Sequence, residues 1–85
     1  MYNALIEFLK GNDVIYYCRR YDDAKWLWLH TMNELHKNKI IFCAKKSDLT
    51  IKINGYTMRF AHREDQIKPC RNVHIFDEYG SDYYQ

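Results

Sequence analysis

Asn54-Gly55 separates two segments of alternating residues, Leu49 to Ile53 and Tyr56 to Phe60, and constrains this chain more than any other feature. A two-residue type I′ turn needs positive φ at both central positions, and Asn-Gly is the pair that best tolerates it. Such a turn also sets the register. Ile53 then faces Tyr56, Ile51 faces Met58 and Leu49 faces Phe60 on one side, while Thr50, Lys52, Thr57 and Arg59 share the other. The expected element is a β-hairpin with one apolar face and one polar face that carries cations.

The elements around it follow from periodicity and from the placement of glycine and proline. Asn3 to Lys10 reads as a short helix with Leu5, Phe8 and Leu9 on one side and Gly11 as a left-handed C-terminal cap. Val14 to Arg19 reads as a strand whose Val-Ile-Tyr-Tyr-Cys run is apolar without alternation, which predicts an interior strand covered on both faces and hence helices on both sides of the sheet. Asp22 or Asp23 is positioned to cap a second helix that continues through His36 and ends near Asn38. At about 100° per residue, Ala24, Leu27, Trp28, Thr31, Met32 and Leu35 gather on one arc of that helix, its expected buried face. Ile40 to Ala44 reads as a further apolar strand closed by Lys45 and Lys46. His62 to Asn72 is charged, contains Pro69 and reads as an exposed loop. Val73 to Phe76 is the last expected strand, and Tyr79 to Gln85 reads as a tail that frays alone and orders on binding. The fold class is therefore α/β: one small domain over residues 1–85, with a central mixed sheet, the Asn-Gly hairpin and two helices.

Eighty-five residues leave room for one core, and a 47% hydrophobic content is enough to form it. Thirteen basic residues against eleven acidic ones are dispersed along the chain, which argues against generic binding to nucleic acid. Three cysteines are odd in number and widely spaced; Cys18 and Cys43 lie in apolar runs, as reduced, buried thiols do, and this favours a cytoplasmic setting. No apolar segment approaches the ~20 residues of a membrane helix, so no membrane partner is expected. His30 and His36 are six apart on a helix and share no ligand face, while Cys70 and His74 are only loosely spaced. Neither a metal site nor a cofactor site is expected from these residues.

Val73-His74-Ile75-Phe76-Asp77-Glu78 places two carboxylates directly after a short apolar strand. Before it come Asn3-Ala4-Leu5-Ile6-Glu7-Phe8-Leu9, Val14 to Arg20 with Tyr21-Asp22-Asp23-Ala24, and Ile53-Asn54-Gly55-Tyr56-Thr57-Met58-Arg59-Phe60. In that order the chain resembles the ATPase core of phage terminase large subunits and related P-loop translocases, from just after the Walker A loop through Walker B. The resemblance implies that Asp77 corresponds to the Mg²⁺-coordinating acid and Glu78 to the catalytic acid. The chain departs from the family in its glycines: none of Gly11, Gly55 and Gly80 lies in a phosphate-cradling loop. Positioning and charge neutralisation supply nearly all phosphoryl-transfer catalysis, so the acidic pair is expected to be a relic and the protein not an enzyme. The missing P-loop strand would leave a gap in the parental sheet, filled by reorganisation or by a partner.

The leading expectation is a non-catalytic protein of viral type that binds and modulates or inhibits a host protein complex, by analogy an anti-defence or anti-CRISPR-like activity in the host cytoplasm. Its partner-binding residues are expected to be Trp26, Leu29, Tyr79, Tyr83 and Tyr84, because Trp and Tyr are enriched in binding hot spots. A homodimer would cover either an open sheet edge or the Trp26 face. A second reading is a nucleic-acid-binding accessory protein that uses Lys45, Lys46, Lys52, Arg59 and Arg63, although no aromatic is interleaved on the hairpin's polar face. A third is an ATPase fragment completed by another subunit's P-loop.

Overall fold

An apolar strand early in a chain needs neighbours on both edges, and here they come from much later in the sequence. The computed structural model describes residues 2–62, 73–77 and 82–84. Its elements are α1 (Tyr2–Leu9), β1 (Asp13–Cys18), α2 (Tyr21–Lys37), β2 (Cys43–Lys45), β3 (Thr50–Ile53), β4 (Tyr56–His62), β5 (Val73–Asp77) and β6 (Asp82–Tyr84). The strands form one mixed sheet in the order β2-β3-β4-β1-β5-β6. β1 runs parallel to both β4 and β5, while β2, β3 and β4 form an antiparallel meander and β6 pairs antiparallel with β5. The described strands pair continuously from β2 to β6, without a gap in the order.

The hairpin takes the expected register, with Ile53 opposite Tyr56, Ile51 opposite Met58 and Thr50 opposite Arg59. Asn54 and Gly55 have φ of 50° and 87°, as the type I′ turn requires. Leu49 precedes β3 and also has a left-handed φ of 50°; its carbonyl accepts from the Phe60 amide at 3.0 Å, and its side chain is buried.

One face of the sheet carries the core. Val14, Tyr16 and Cys18 of β1, Ile51 of β3, Met58 and Phe60 of β4 and Phe76 of β5 pack with Ala4 and Phe8 of α1 and with Ala24, Trp28 and Leu35 of α2. Leu27 and Met32 are half-buried against them, so α2 presents the arc its spacing predicts. Both helices therefore cover the same face. This corrects the expectation of a helix on each side, which treated the apolar β1 run as symmetric. Its side chains alternate in burial, Val14, Tyr16 and Cys18 being buried while Ile15 and Tyr17 are half-buried.

Other expectations also give way. The strand expected at Ile40 to Ala44 is displaced to Cys43–Lys45, because the end of α2 uses Ile40 in a different way. The Lys39 amide donates to the His36 carbonyl and the Ile40 amide to the Leu35 carbonyl, each at 3.0 Å, with Lys39 at φ 58°. This is a Schellman cap, with Ile40 as its apolar contact and a lysine where glycine is usual. Cys43 is exposed on the edge strand and is not a buried thiol. At the other end of α2, Arg20 rather than Asp22 or Asp23 occupies the N-cap position. The two acids instead lie in the first turn, where the helix dipole favours them. The fraying tail is corrected in part, since residues 82–84 form β6. Most of the expected loop from His62 to Asn72, together with Glu78 to Ser81 and Gln85, lies outside the described residues.

Candidate functional site

α1 and α2 lie side by side on the sheet, and the seam between them is not filled. Leu5, Ile6 and Leu9 of α1 face His30, Glu34 and Leu35 of α2 and its capping residue Asn38 across a groove of about 520 Å³, which Ile40 also lines. α1 leaves its apolar residues there because Ala4 and Phe8 already point into the core, one turn apart. Gly11 then turns the chain at φ 95°. Leu9, expected on the buried side, is 48% exposed. Glu34 provides the carboxylate on the opposite wall, and its main-chain carbonyl accepts from Asn38 Nδ2 at 2.7 Å. A second hollow of about 580 Å³, lined by His36, Lys37, Lys39, Ile40, Ile41 and Phe42, shares Ile40 with the first. Ile41 is 91% exposed beside it.

Trp26 and Leu29 project from the outer face of α2, and Trp26 is 60% exposed. The Trp26 indole stacks on the His30 ring, with centroids 5.0 Å apart and planes 6° apart, so Trp26 borders the groove through His30. Two of the tyrosines expected to share this surface lie on a strand distant from α2 in the sheet order. β6, which contains Tyr83 and Tyr84, sits at the far edge of the sheet against β5, whereas α2 packs on β1, β3 and β4. Tyr79 lies outside the described residues.

Three of the five cations of the second expected surface share one face of the sheet. Lys45 pairs with Thr50 across β2 and β3, and Thr50 pairs with Arg59 across β3 and β4, so Lys45, Lys52 and Arg59 share the sheet face away from the helices. Lys45 Nζ lies 3.5 Å from Asp48 Oδ2, and Arg59 is half-buried. Lys46 is exposed beyond the end of β2, and Arg63 lies outside the described residues. The sheet extends this face into β1, where Ile15 pairs with Arg59 and Tyr17 with Ala61. An aromatic is thus present on the face after all, contributed by a strand that the hairpin's own sequence does not contain.

Asp77 closes β5 and pairs with Tyr17 of β1; Glu78 lies outside the described residues. Among the described residues, no three His, Cys, Asp or Glu side chains group as a metal site. No helix among them is long and apolar enough to cross a membrane. Near the other end of the sheet, Glu7 accepts from Asn12 Nδ2 at 3.1 Å and from Lys10 Nζ at 3.2 Å, with His74 Nε2 at 3.7 Å. This cluster fastens α1 to the β1 entry and to β5. The sequence matches no family model, and no curated protein or solved structure matches it.

Sequence reasoning missed Ile6, Leu9, Glu34, Ile40 and Ile41. The detectable signal was in α1, where eight residues carry more apolar side chains than one buried stripe can use.

Proposed function

We propose that this chain is a non-catalytic protein-binding domain whose recognition surface is the helical layer. The observation that carries this reading is the open apolar groove between α1 and α2, with Leu9 and Ile6 left exposed on its wall. Apolar side chains rimmed by polar ones are the composition of a protein interface, and a concave site of this size accepts one or two anchoring side chains. Glu34 selects the chemistry of the occupant: an aliphatic or aromatic anchor next to a lysine or arginine, as on one face of an amphipathic helix. The viral setting, the host complex as target and the anti-defence role belong to this proposal through the terminase-like order of motifs. On that reading Asp77 and Glu78 are inherited and idle.

The test is site-specific photo-crosslinking in host extract, with and without nuclease, from a probe at Leu9 and from a control probe at Lys52. A nuclease-resistant adduct from Leu9 only, whose purified partner then loses affinity roughly tenfold or more to Leu9→Lys and to Glu34→Lys, is the expected result. Adducts only from Lys52, or adducts lost with nuclease, overturn it.

Those outcomes would favour the basic sheet face instead, a reading supported by the alignment of Lys45, Lys52 and Arg59 with Tyr17 beside them. Binding there would fall steeply with salt as counterions are released, whereas the groove would be less sensitive.

A further inference from the structure

The outer face of α2 has a charge order that matches its own reverse. At about 100° per residue, Asp22, Trp26, Leu29, His30, Asn33 and Lys37 fall within an arc of about 100°, and all six are exposed. The acid stands in the first turn, the base in the last, and the apolar and aromatic residues in the middle.

We infer that this arc pairs with the same arc of a second copy of the chain, the two α2 helices running antiparallel about a two-fold axis beside Leu29 and His30. In that register Asp22 of each copy meets Lys37 of the other, Trp26 meets Asn33, and Leu29 meets His30. A two-fold contact repeats every pair, so one complementary charge pair becomes two. The antiparallel arrangement also sets each helix dipole against its opposite. Parallel pairing would instead place Asp22 against Asp22 and Lys37 against Lys37, and an unrelated apolar partner would have no need of this symmetry. The stacked rings of Trp26 and His30 from both copies would surround the axis and supply the aromatic centre that interfaces favour. The groove beside α1 opens next to this arc, so a dimer would present two grooves. The inference does not depend on what fills them.

Sedimentation equilibrium of the purified chain across the micromolar range at low salt tests it. The expected mass rises with concentration from that of one 10.4 kDa chain toward twice that value. Asp22→Lys and Lys37→Asp should each weaken association roughly tenfold, and the double reversal should restore it. Trp26→Ala should weaken association without changing the thermal stability of the monomer, read at concentrations too low for pairing. Both reversals put an unfavourable charge at a helix end, so the doubly reversed chain is the least stable of the set. Recovery of the dimer in that chain therefore cannot be a folding effect. A chain that stays monomeric throughout, a dimer indifferent to the single reversals, or a double reversal that fails to restore association overturns the inference.

Discussion

Trp28 Nε1 donates to the main-chain carbonyl of Thr50 at 3.0 Å, joining the buried face of α2 to the first strand of the hairpin across 22 positions of sequence. The indole is almost fully buried, and the bond it makes is partly shielded from water. Trp28→Phe should keep most of the packing but strand a carbonyl, costing about 1–3 kcal/mol. Trp28→Ala should cost about 3–5 kcal/mol, a large share of the ~5–15 kcal/mol that holds a small domain folded. Trp26→Ala, two residues away on the exposed face, should stay within about 0.5 kcal/mol of the parent. Urea denaturation of the three variants checks the order; equal losses at both tryptophans would contradict the placement of α2.

Lys39 holds the left-handed position of the α2 cap at φ 58°, a conformation that costs a side-chain-bearing residue about 1 kcal/mol relative to glycine. Lys39→Gly should therefore stabilise the protein by about 0.5–1 kcal/mol and raise Tm by a few degrees, offset slightly by the greater freedom of glycine in the unfolded chain. Calorimetry that showed a lower Tm would mean that the lysine side chain contributes more than its backbone costs.

Gly11 makes the converse case. Its φ is 95°, and a Cβ there would lie 3.2 Å from Cε2 of Tyr56, so Gly11→Ala combines backbone strain with crowding. A loss of about 1–2 kcal/mol is expected by chemical denaturation. Gly55, also at positive φ but with open space around it, should lose only the backbone share, about 1 kcal/mol.

Alkylation should separate two cysteines whose runs look alike in sequence. Cys43 is exposed on the edge strand and should react with iodoacetamide in the folded protein, whereas buried Cys18 should react only after unfolding. Peptide-level mass spectrometry against time reads each thiol separately. Equal rates would mean that β1 opens as readily as the edge.

These pairs also show where the sequence could be read and where it could not. The hairpin was legible because its turn and both of its strands lie within twelve residues and agree with one another. The buried arc of α2 was legible because helical periodicity is a local property. Ile40 to Ala44 misled because an apolar run does not state its backbone geometry. There the Schellman cap takes up Ile40, leaves Ile41 in solvent and delays the strand to Cys43. β6 gave no signal, since three residues become a strand only when β5 lies beside them. Of the candidate site, Trp26 and Leu29 stood out as residues too apolar for the outer side of α2. The groove itself did not, because it belongs to the spacing between two helices rather than to either one.

Asp77→Asn with Glu78→Gln should leave crosslinking from Leu9 unchanged, because the proposed groove makes no use of the acidic pair. Loss of the adduct in that double variant would move attention to the ATPase-completion reading.

Asp13 Oδ1 accepts from the Thr57 amide across 44 positions, at the point where β1 meets β4. β1's other neighbour, β5, lies later still in the chain. α2 and the hairpin can form as local units, but the strand made first must wait for both of its flanks while long loops close around it, at an entropic cost that slows folding. The strand made first is thus expected to be flanked on both edges only after β4 and β5, both later in the chain, have been made.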